Sequence, residues 1–279
     1  LGPSVQVPNP LSVSRPPSLA QRTARIEPWI GVVVVLLAWE AVARTLGSRD
    51  VPTVGDVATA LGSLTTVGLE TGGDRLALLN AARLSLTNLA IALGLALVAG
   101  VGLGLLLGSS ASADRLLGTP ITLARSIPPS ALVPFFIVLL GIGDATTVGL
   151  VVFAAFFPVF LSTYGAVRGV EPIYLHAATV LGTPRRRMFA DVILPAAMPG
   201  VLTGVRVGWQ VAWAVLIMAE LIVSRGGLGS VLLKGGAARR EEIVIAGMVV
   251  IAVLGLAFDV GFRLLRDRLL RWQAGVVVA

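Results

Sequence analysis

The side chains best able to do chemistry lie in one apolar segment near residue 210. At intervals of four, three, four and three residues it carries Arg206, Gln210, Trp213, Ile217 and Glu220. This spacing places the five residues on one face of a helix. An apolar segment of this kind can cross a membrane, where polar side chains are costly. Its polar side chains are therefore candidate functional residues. The face can form hydrogen bonds and stack on rings, which suits a translocation pathway.

The two charged members of this face need separate partners. Arg206 and Glu220 are about 21 Å apart along an ideal helix, at 1.5 Å per residue, so they cannot pair with each other. Trp209 adds a second ring beside Gln210. Two interpretations stay open. Either the face lines a pathway, or Arg206 reaches the inner headgroups while Glu220 sits at the outer boundary near Arg225.

Composition disfavours metal, thiol and nucleotide chemistry in this chain. It has no cysteine and a single histidine, His176, so a disulfide, a thiolate site, a His-based metal site or a His triad is not expected. No GxxxxGK[ST] pattern occurs, so there is no phosphate cradle for ATP. Clusters of His, Asp or Glu at catalytic spacing are also missing, which argues against a membrane-embedded enzyme.

The amount and arrangement of apolar residues predict an all-α polytopic membrane protein. Of 279 residues, 56% are hydrophobic and 13% charged, whereas soluble domains carry about 25% charged residues. A span needs roughly 20 apolar residues. Six segments qualify, at 29–46, 86–107, 116–142, 146–167, 201–223 and 243–265. The arginines behind the net charge of +7 lie near their ends, where headgroups account for them, so nucleic acid is not an expected partner.

The distribution of Lys and Arg sets the predicted orientation. We expect both termini and the Arg-rich loop 170–200 on the cytoplasmic side. The expected parts are a disordered cytoplasmic tail at 1–28, a first span at 29–46, an external loop with a short helix at 47–85, a core of five helices at 86–265 that includes the 170–200 loop, and a cytoplasmic tail at 266–279.

The third predicted span contains a cluster of prolines. Ser126 is followed by Pro128, Pro129 and then Pro134. Proline removes a backbone donor and kinks or breaks a helix, and in lipid the freed groups must be satisfied by protein or by a water-lined cavity. Two interpretations stay open: a kinked helix that only packs, or a broken helix that lines a pathway.

The polar loop at 170–204 is predicted to form two short helices. Pro172 suits the first turn of a helix that Gly182 ends. Pro184, after a threonine cap, begins a second helix, which the Leu-Pro pair ending at Pro195 is expected to stop. From these residues alone, the loop is either a docking surface or an amphipathic segment at the membrane interface.

This loop resembles a motif of a known family. From Ala177 to Pro195 the residues follow the pattern AA-x3-G-x9-V-x-LP, which is similar to the EAA loop of permease subunits of bacterial ABC importers. The wider chain resembles the nitrate/sulfonate/taurine branch of that family. That likeness rests on SIPPSALVP at 126–134, on AEL at 219–221 and on GGLG at 226–229.

The resemblance, which covers about residues 80–270, implies a type I importer permease with six transmembrane helices and a cytoplasmic coupling helix. That helix would fit a groove on a cytoplasmic ATPase subunit, present in two copies, which binds ATP and Mg. This chain itself would hold no cofactor and no metal. A second permease copy in a homodimer, an extracytoplasmic solute-binding protein and the lipid of the bacterial inner membrane would be its other partners. The cargo would be a small anion such as a sulfonate, taurine or nitrate.

The resemblance provides one set of candidate residues, and the helix face together with the proline cluster of the third span provides another. The set that would contact the ATPase is His176, Ala177, Ala178, Gly182, Arg185, Arg186, Arg187, Leu194 and Pro195. The pathway set is Ser126, Pro128, Pro129, Arg206, Trp209, Gln210, Trp213 and Glu220. One residue departs from the family: His176 stands where the motif has a glutamate. The alternative function is an ATPase-independent secondary transporter or channel, whose loop would be merely interfacial.

Overall fold

A computed structural model describes residues 27–46, 51–66, 77–223 and 226–270. Within these residues the chain forms helices and no strand, so the predicted all-α class is confirmed. Several predicted segments lie partly outside the described residues: 1–26 of the first tail, 47–50 and 67–76 of the external loop, and 271–279 of the last tail.

The chain divides into two compact units, one up to Asp56 and one from Val57. The first unit contains α1, Glu27–Leu46, which covers the predicted first span, and the beginning of α2, Val54–Thr66. The second unit continues with α3 Ala77–Ser109, α4 Ala111–Arg125, a 3-10 turn Pro129–Leu132, α5 Val133–Leu140, α6 Asp144–Arg168, α7 Pro172–Val180, one helical turn Arg185–Arg187, a π-helix Met188–Ile193, α8 Leu194–Ile222, α9 Gly227–Ala237 and α10 Glu241–Leu269.

Helix α6 packs against α3 through a row of glycines. Each glycine lies so close to α6 that an added Cβ would come within 2.9 Å of a side-chain atom there. The glycines of α3 are Gly100, Gly104 and Gly108, and their neighbours on α6 are, in the same order, Val159, Thr163 and Val167. Small residues allow helix backbones to approach closely in a membrane, where van der Waals packing drives association. The matching order shows that α3 and α6 run parallel.

A second glycine row contacts an adjacent face of α6, and Val159 takes part in both rows. The glycines of α8 also recur every four residues and meet small or branched side chains of α6. They are Gly200, Gly204 and Gly208, facing Ala166, Ser162 and Val159. This order is reversed, so α8 runs antiparallel to α6. The sequence analysis did not make use of either glycine row.

The third predicted span is broken. Helix α4 and the 3-10 turn with α5 meet at 89°. The break falls at Ser126 to Pro129, because two consecutive prolines cannot donate the backbone hydrogen bonds that would continue α4. Since α3 and α6 run parallel, the chain between them must return across the bundle. The bent pair is therefore one broken crossing.

Counting the spans leaves one of the six as a prediction. In the part of the chain that the structure describes, four helices are long and apolar enough to cross a membrane, or five with the bent pair. The four are Leu78–Ser109, Asp144–Arg168, Met188–Ile222 and Glu241–Leu269. The remaining one, the first predicted span at 29–46, stays a prediction.

Several boundaries differ from those expected. Helix α3 begins at Ala77 rather than near residue 86, because the run from 77 to 85 contains good helix formers and no proline or glycine. Helix α10 extends to Leu269, into the predicted tail. The stretch between the predicted spans 201–223 and 243–265 contains helix α9, which the sequence analysis missed because glycines interrupt its apolar pattern.

The expected helix end at Pro195 is wrong. The helix instead continues from Met188 to Ile222. Proline lacks an N–H and crowds the carbonyl four residues earlier. Here the preceding turn is a π-helix, in which the Leu194 N–H bonds to the Phe189 carbonyl five residues back. The wider turn accommodates Pro195 without ending the helix.

The glycine row of α3 generates a prediction about stability. In Gly104→Ala the new Cβ would lie 2.6 Å from the Thr163 Cβ, and we expect overpacking to cost about 1–3 kcal/mol. The matched control is Gly102→Ala on the same helix, where nothing lies within 4 Å of the new Cβ. Thermal unfolding of the detergent-solubilised protein measures the difference. Equal melting temperatures for the two variants would contradict the packing described here.

Candidate functional site

Glu220 is fully buried at the end of α8 and joins three helices. The Ser85 hydroxyl of α3 lies 2.7 and 2.9 Å from the two carboxylate oxygens of Glu220 and donates to them. The Gly229 backbone N–H of α9 donates to the same carboxylate at 2.9 Å. The Leu228 N–H donates to Ser85 Oγ at 2.9 Å. The side chains of α3 and α8 thus cap the first turn of α9.

The glycines in GGLG make this cap possible. A Cβ on Gly227 would collide with the Glu220 carboxylate, and Gly227 has a φ of +86°, which side-chain-bearing residues rarely adopt. A Cβ on Gly229 would lie 2.6 Å from the Glu220 Cβ. A helix N-terminus stabilises a negative charge through its free N–H groups and its dipole. The buried Glu220 carboxylate therefore has a structural role: its hydrogen bonds connect α8 to α3 and to the start of α9.

Arg206, near the middle of α8, has its own partner. Its Nη2 lies 2.8 Å from an Asp259 carboxylate oxygen of α10. Arg263, one turn further along α10, approaches the other oxygen at 3.4 Å. The prediction that Arg206 and Glu220 need separate partners is confirmed. Because Asp259 neutralises it, Arg206 is not an isolated cation along α8.

The other members of the predicted pathway set lie in different environments. Trp209 is buried and stacks on Trp213, with ring centroids 5.8 Å apart, and on Phe258 of α10. Gln210 is exposed. The α8 face is therefore partly core. Ser126 and Pro128 are exposed and Pro129 is half-buried at the break between α4 and α5. Their role in a pathway stays a prediction.

The loop after α6 has a well-defined turn at Gly182. The Thr183 N–H bonds to the Ala178 carbonyl and the Gly182 N–H to the Thr179 carbonyl, both at 3.0 Å. Gly182 has a φ of +71°. This pattern is a Schellman motif, which ends a helix with a residue in the left-handed region. The predicted end of the first short helix near Gly182 is thus confirmed with a physical reason.

The surface of α7 and the turn after it is apolar and exposed. Val180 and Leu181 are 86% and 83% exposed, and Ile173 and Tyr174 are also exposed. Such side chains in a polar loop outside the spans mark an interaction site. The sequence analysis missed these four residues, although apolar residues in an otherwise polar loop were a visible signal.

The predicted ATPase-contact residues lie on and around this surface. Those described as exposed are His176, Ala177, Gly182, Arg186, Arg187 and Pro195. Ala178 is buried and Leu194 is half-buried, so these two support the loop from within. Arg185 lies in the turn that follows, and its side chain is outside the described residues.

These features define a multi-pass helical membrane protein with an exposed apolar loop helix between two of its spans. Residues 100–271 match the family described as the inner membrane component of binding-protein-dependent transport systems. The chain belongs to this family. It is thus a transmembrane transport component of the ABC transporter permease type, as the resemblance of the loop had indicated.

Several curated relatives are similar over most of their length. The taurine transport system permease protein TauC of Escherichia coli (strain K12) is 34% identical over 69% of this chain and 70% of its own. The putative aliphatic sulfonates transport permease protein SsuC of Bacillus subtilis (strain 168) is 34% identical over 65% and 67%. The nitrate import permease protein NrtB of Synechocystis sp. (strain ATCC 27184 / PCC 6803 / Kazusa) is 26% identical over 90% and 89%.

A solved structure shares the fold. A chain of the MetNI methionine ABC transporter, in an inward-facing conformation, superposes with a TM-score of 0.59. The alignment covers 70% of this chain and 94% of that one, at 19% identity. At this identity the likeness concerns the fold alone. It agrees with the helical bundle and the intervening loop described above.

The buried cap generates a prediction for Glu220. In Glu220→Ala, the Ser85 hydroxyl and the Gly229 N–H lose their acceptor inside the protein, and an unsatisfied buried group costs about 1–3 kcal/mol. We expect faster amide hydrogen exchange in α9, measured by mass spectrometry. The control is Glu242→Ala, which removes a half-exposed ion pair with Arg240 and a charge in the first turn of α10, and which we expect to change exchange in α9 little. Unchanged protection of α9 in Glu220→Ala would show that the cap does not hold this helix.

Proposed function

We propose that this chain is the permease subunit of an ABC importer for a small anion of the sulfonate, taurine or nitrate type. The observation that carries the proposal is the exposed apolar surface of α7, in a loop between two membrane helices of a binding-protein-dependent transport component. The substrate class is carried over from relatives named for taurine, aliphatic sulfonates and nitrate.

In the proposed mechanism, α7 is the coupling helix of the subunit. Its apolar side chains and the neighbouring arginines dock into a groove on a cytoplasmic ATPase subunit. Two ATPase copies bind ATP and Mg and hydrolyse ATP, since this chain has no phosphate-binding loop. Their closure moves α7, and α7 connects directly to α6 on one side and through Arg185–Arg187 and the π-helix to α8 on the other. These are the two helices joined by the second glycine row.

Transport requires partners that complete the pathway. We propose a homodimer in the inner membrane, with both termini cytoplasmic and a solute-binding protein at the outer face. The pathway candidates are Ser126, Pro128 and Pro129 at the break and the polar side chains of α8. Asp259 pairs with Arg206 and offsets its positive charge. Arg206 alone therefore does not make the pathway selective for anions. Selectivity then resides mainly in the solute-binding protein.

The functional class can be tested directly. In proteoliposomes that contain this chain, the ATPase subunit and the binding protein, we expect uptake of radiolabelled taurine that depends on ATP. Removal of the ATPase subunit abolishes this uptake. Uptake by this chain alone without ATP would instead support the secondary transporter or channel.

The turn at Gly182 generates a prediction about docking. Gly182→Val places a β-branched residue at a φ of +71°, a conformation that costs such residues about 1–2 kcal/mol or more. We expect the turn to rearrange and co-purification of the ATPase subunit to be lost. Gly182→Asn is the matched control, because asparagine tolerates this conformation and the Cβ position is open. Full co-purification with Gly182→Val would mean that the turn geometry is not needed for docking.

The family departure at position 176 gives a second docking prediction. His176 is exposed on α7, so a glutamate there makes no clash within this chain. We expect His176→Glu to keep the ATPase subunit bound, since it restores the residue of the family motif, and co-purification measures this. Loss of binding would indicate that the ATPase groove facing position 176 is negatively charged in this system.

A further inference from the structure

An ion pair connects α6 to the first half of the broken span. Arg168 ends α6, and its Nη2 lies 2.9 Å from Asp114 Oδ2 in the first turn of α4. A cation at a helix C-terminus and an anion in a first turn are each stabilised by the helix dipole. Each charge is thus favoured at its position even before the two pair.

Tyr164 holds the arginine from a second direction. The Arg168 guanidinium carbon lies 5.2 Å from the centre of the Tyr164 ring, within the range of a cation–π contact. Tyr164 stacks on Phe160, and Phe160 on Phe156, with ring centroids 5.9 and 5.6 Å apart. The guanidinium therefore completes a column of rings that repeats every four residues along α6. Its position is restrained by the stack and by Asp114 together.

Beyond the ion pair, α4 and α6 are separated by open space. No residue of α4 is buried. A cavity of about 560 Å³ lies between the two helices, bordered among others by Thr122 of α4 and by Leu161 and Tyr164 of α6. Asp114, one member of the ion pair, also borders this cavity. Because α4 has so little packing, it can shift at a low cost in free energy. Its contact with α6 through Asp114 is the point at which a movement of α6 would act on it.

The same arginine lies next to the coupling helix. Only residues 169–171 separate Arg168 from the start of α7 at Pro172. Even fully extended, a connection of this length spans at most about 14 Å. The Gly169 N–H remains bonded to the Gly165 carbonyl at 2.8 Å, so part of this short connection still belongs to α6. A displacement of α7 is therefore transmitted to Arg168, because the connection is too short to absorb it.

We propose that Asp114 and Arg168 form a positioning pair that passes the displacement of α7 to α4, and so to the broken third span. This inference rests on the proposed function, since an ATPase must move α7. The Arg168 and Asp114 side chains are 47% and 24% exposed, and ion pairs this open to solvent add little to stability. Loss of the pair therefore changes coupling more than folding.

Cross-linking across the cavity tests the pair. The chain has no cysteine, so Thr122→Cys and Leu161→Cys introduce its only thiols, one on each helix. In the transporter with its ATPase subunit and binding protein, a bifunctional thiol reagent reports their separation, with the intrachain product identified by mass spectrometry. We expect the cross-linking yield to differ between nucleotide-free and ATP–vanadate-trapped states. In Asp114→Asn and in Arg168→Gln this difference disappears while the ATPase subunit still co-purifies.

Transport gives an independent measurement. We expect the taurine imported per ATP hydrolysed to fall about two- to thirty-fold in Asp114→Asn, the range of effect seen for residues that couple distant sites. Asp114→Glu keeps the charge and retains the ratio. The double variant Asp114→Arg with Arg168→Asp restores it in part, because the pair is re-formed but each charge now lies at the unfavourable end of its helix.

The control is Asp267→Asn, which removes an ion pair to Arg266 at the exposed end of α10, 2.8 Å long compared with 2.9 Å for Asp114 and Arg168. It leaves both the cross-linking difference and the transport ratio unchanged. If Asp114→Asn behaves like this control, the inference is wrong. If the unmodified chain does not retain an ATPase subunit, the proposed function fails instead, and the two failures are distinct.

Discussion

Helix α6 touches the backbones of two neighbours, and the second unit is arranged around that contact. Glycines every four residues on α3 and α8 remove the Cβ atoms that would otherwise keep the helices apart. Lipid tails are as apolar as leucine, so burial of apolar surface gives no net drive between membrane helices, and close packing must hold them together. The two rows also set direction: α3 runs parallel to α6 and α8 antiparallel. Because α3 and α6 run parallel, the chain between them has to cross back, and its two consecutive prolines break that crossing.

The charged side chains Glu220 and Arg206 within the helical bundle each have a partner that explains their presence in the fold. Glu220 caps α9 with help from Ser85, and Arg206 pairs with Asp259. An unpaired buried charge is very costly, and pairing or hydrogen bonding is the usual remedy. Each of these groups therefore has a structural role whether or not solute passes near it. A polar residue in a membrane helix indicates a site, but the partners that it has decide what kind of site it is.

The loop helix α7 lies outside the spans and carries four exposed apolar side chains on and next to it. The Schellman turn at Gly182 fixes where this helix ends. On either side α7 is connected by short segments to helices that pack tightly on each other. A rigid helix with short connections transmits displacement, whereas a flexible loop would absorb it. The same reasoning underlies the proposed positioning role of the ion pair between Arg168 and Asp114.

Local chemistry in the sequence determined the helical class, the turn at Gly182, a kink or break at the prolines that follow Ser126, and the separate partners of Arg206 and Glu220. Each of these depends on the properties of single residues or on spacing within one helix. The tertiary structure alone decided which partners those charges have, because Ser85 and Glu220 are 135 positions apart. It also decided that the helix continues through Pro195, since a π-turn accommodates the missing donor. The glycine rows could be read as spacing, but only the fold shows which helix they face.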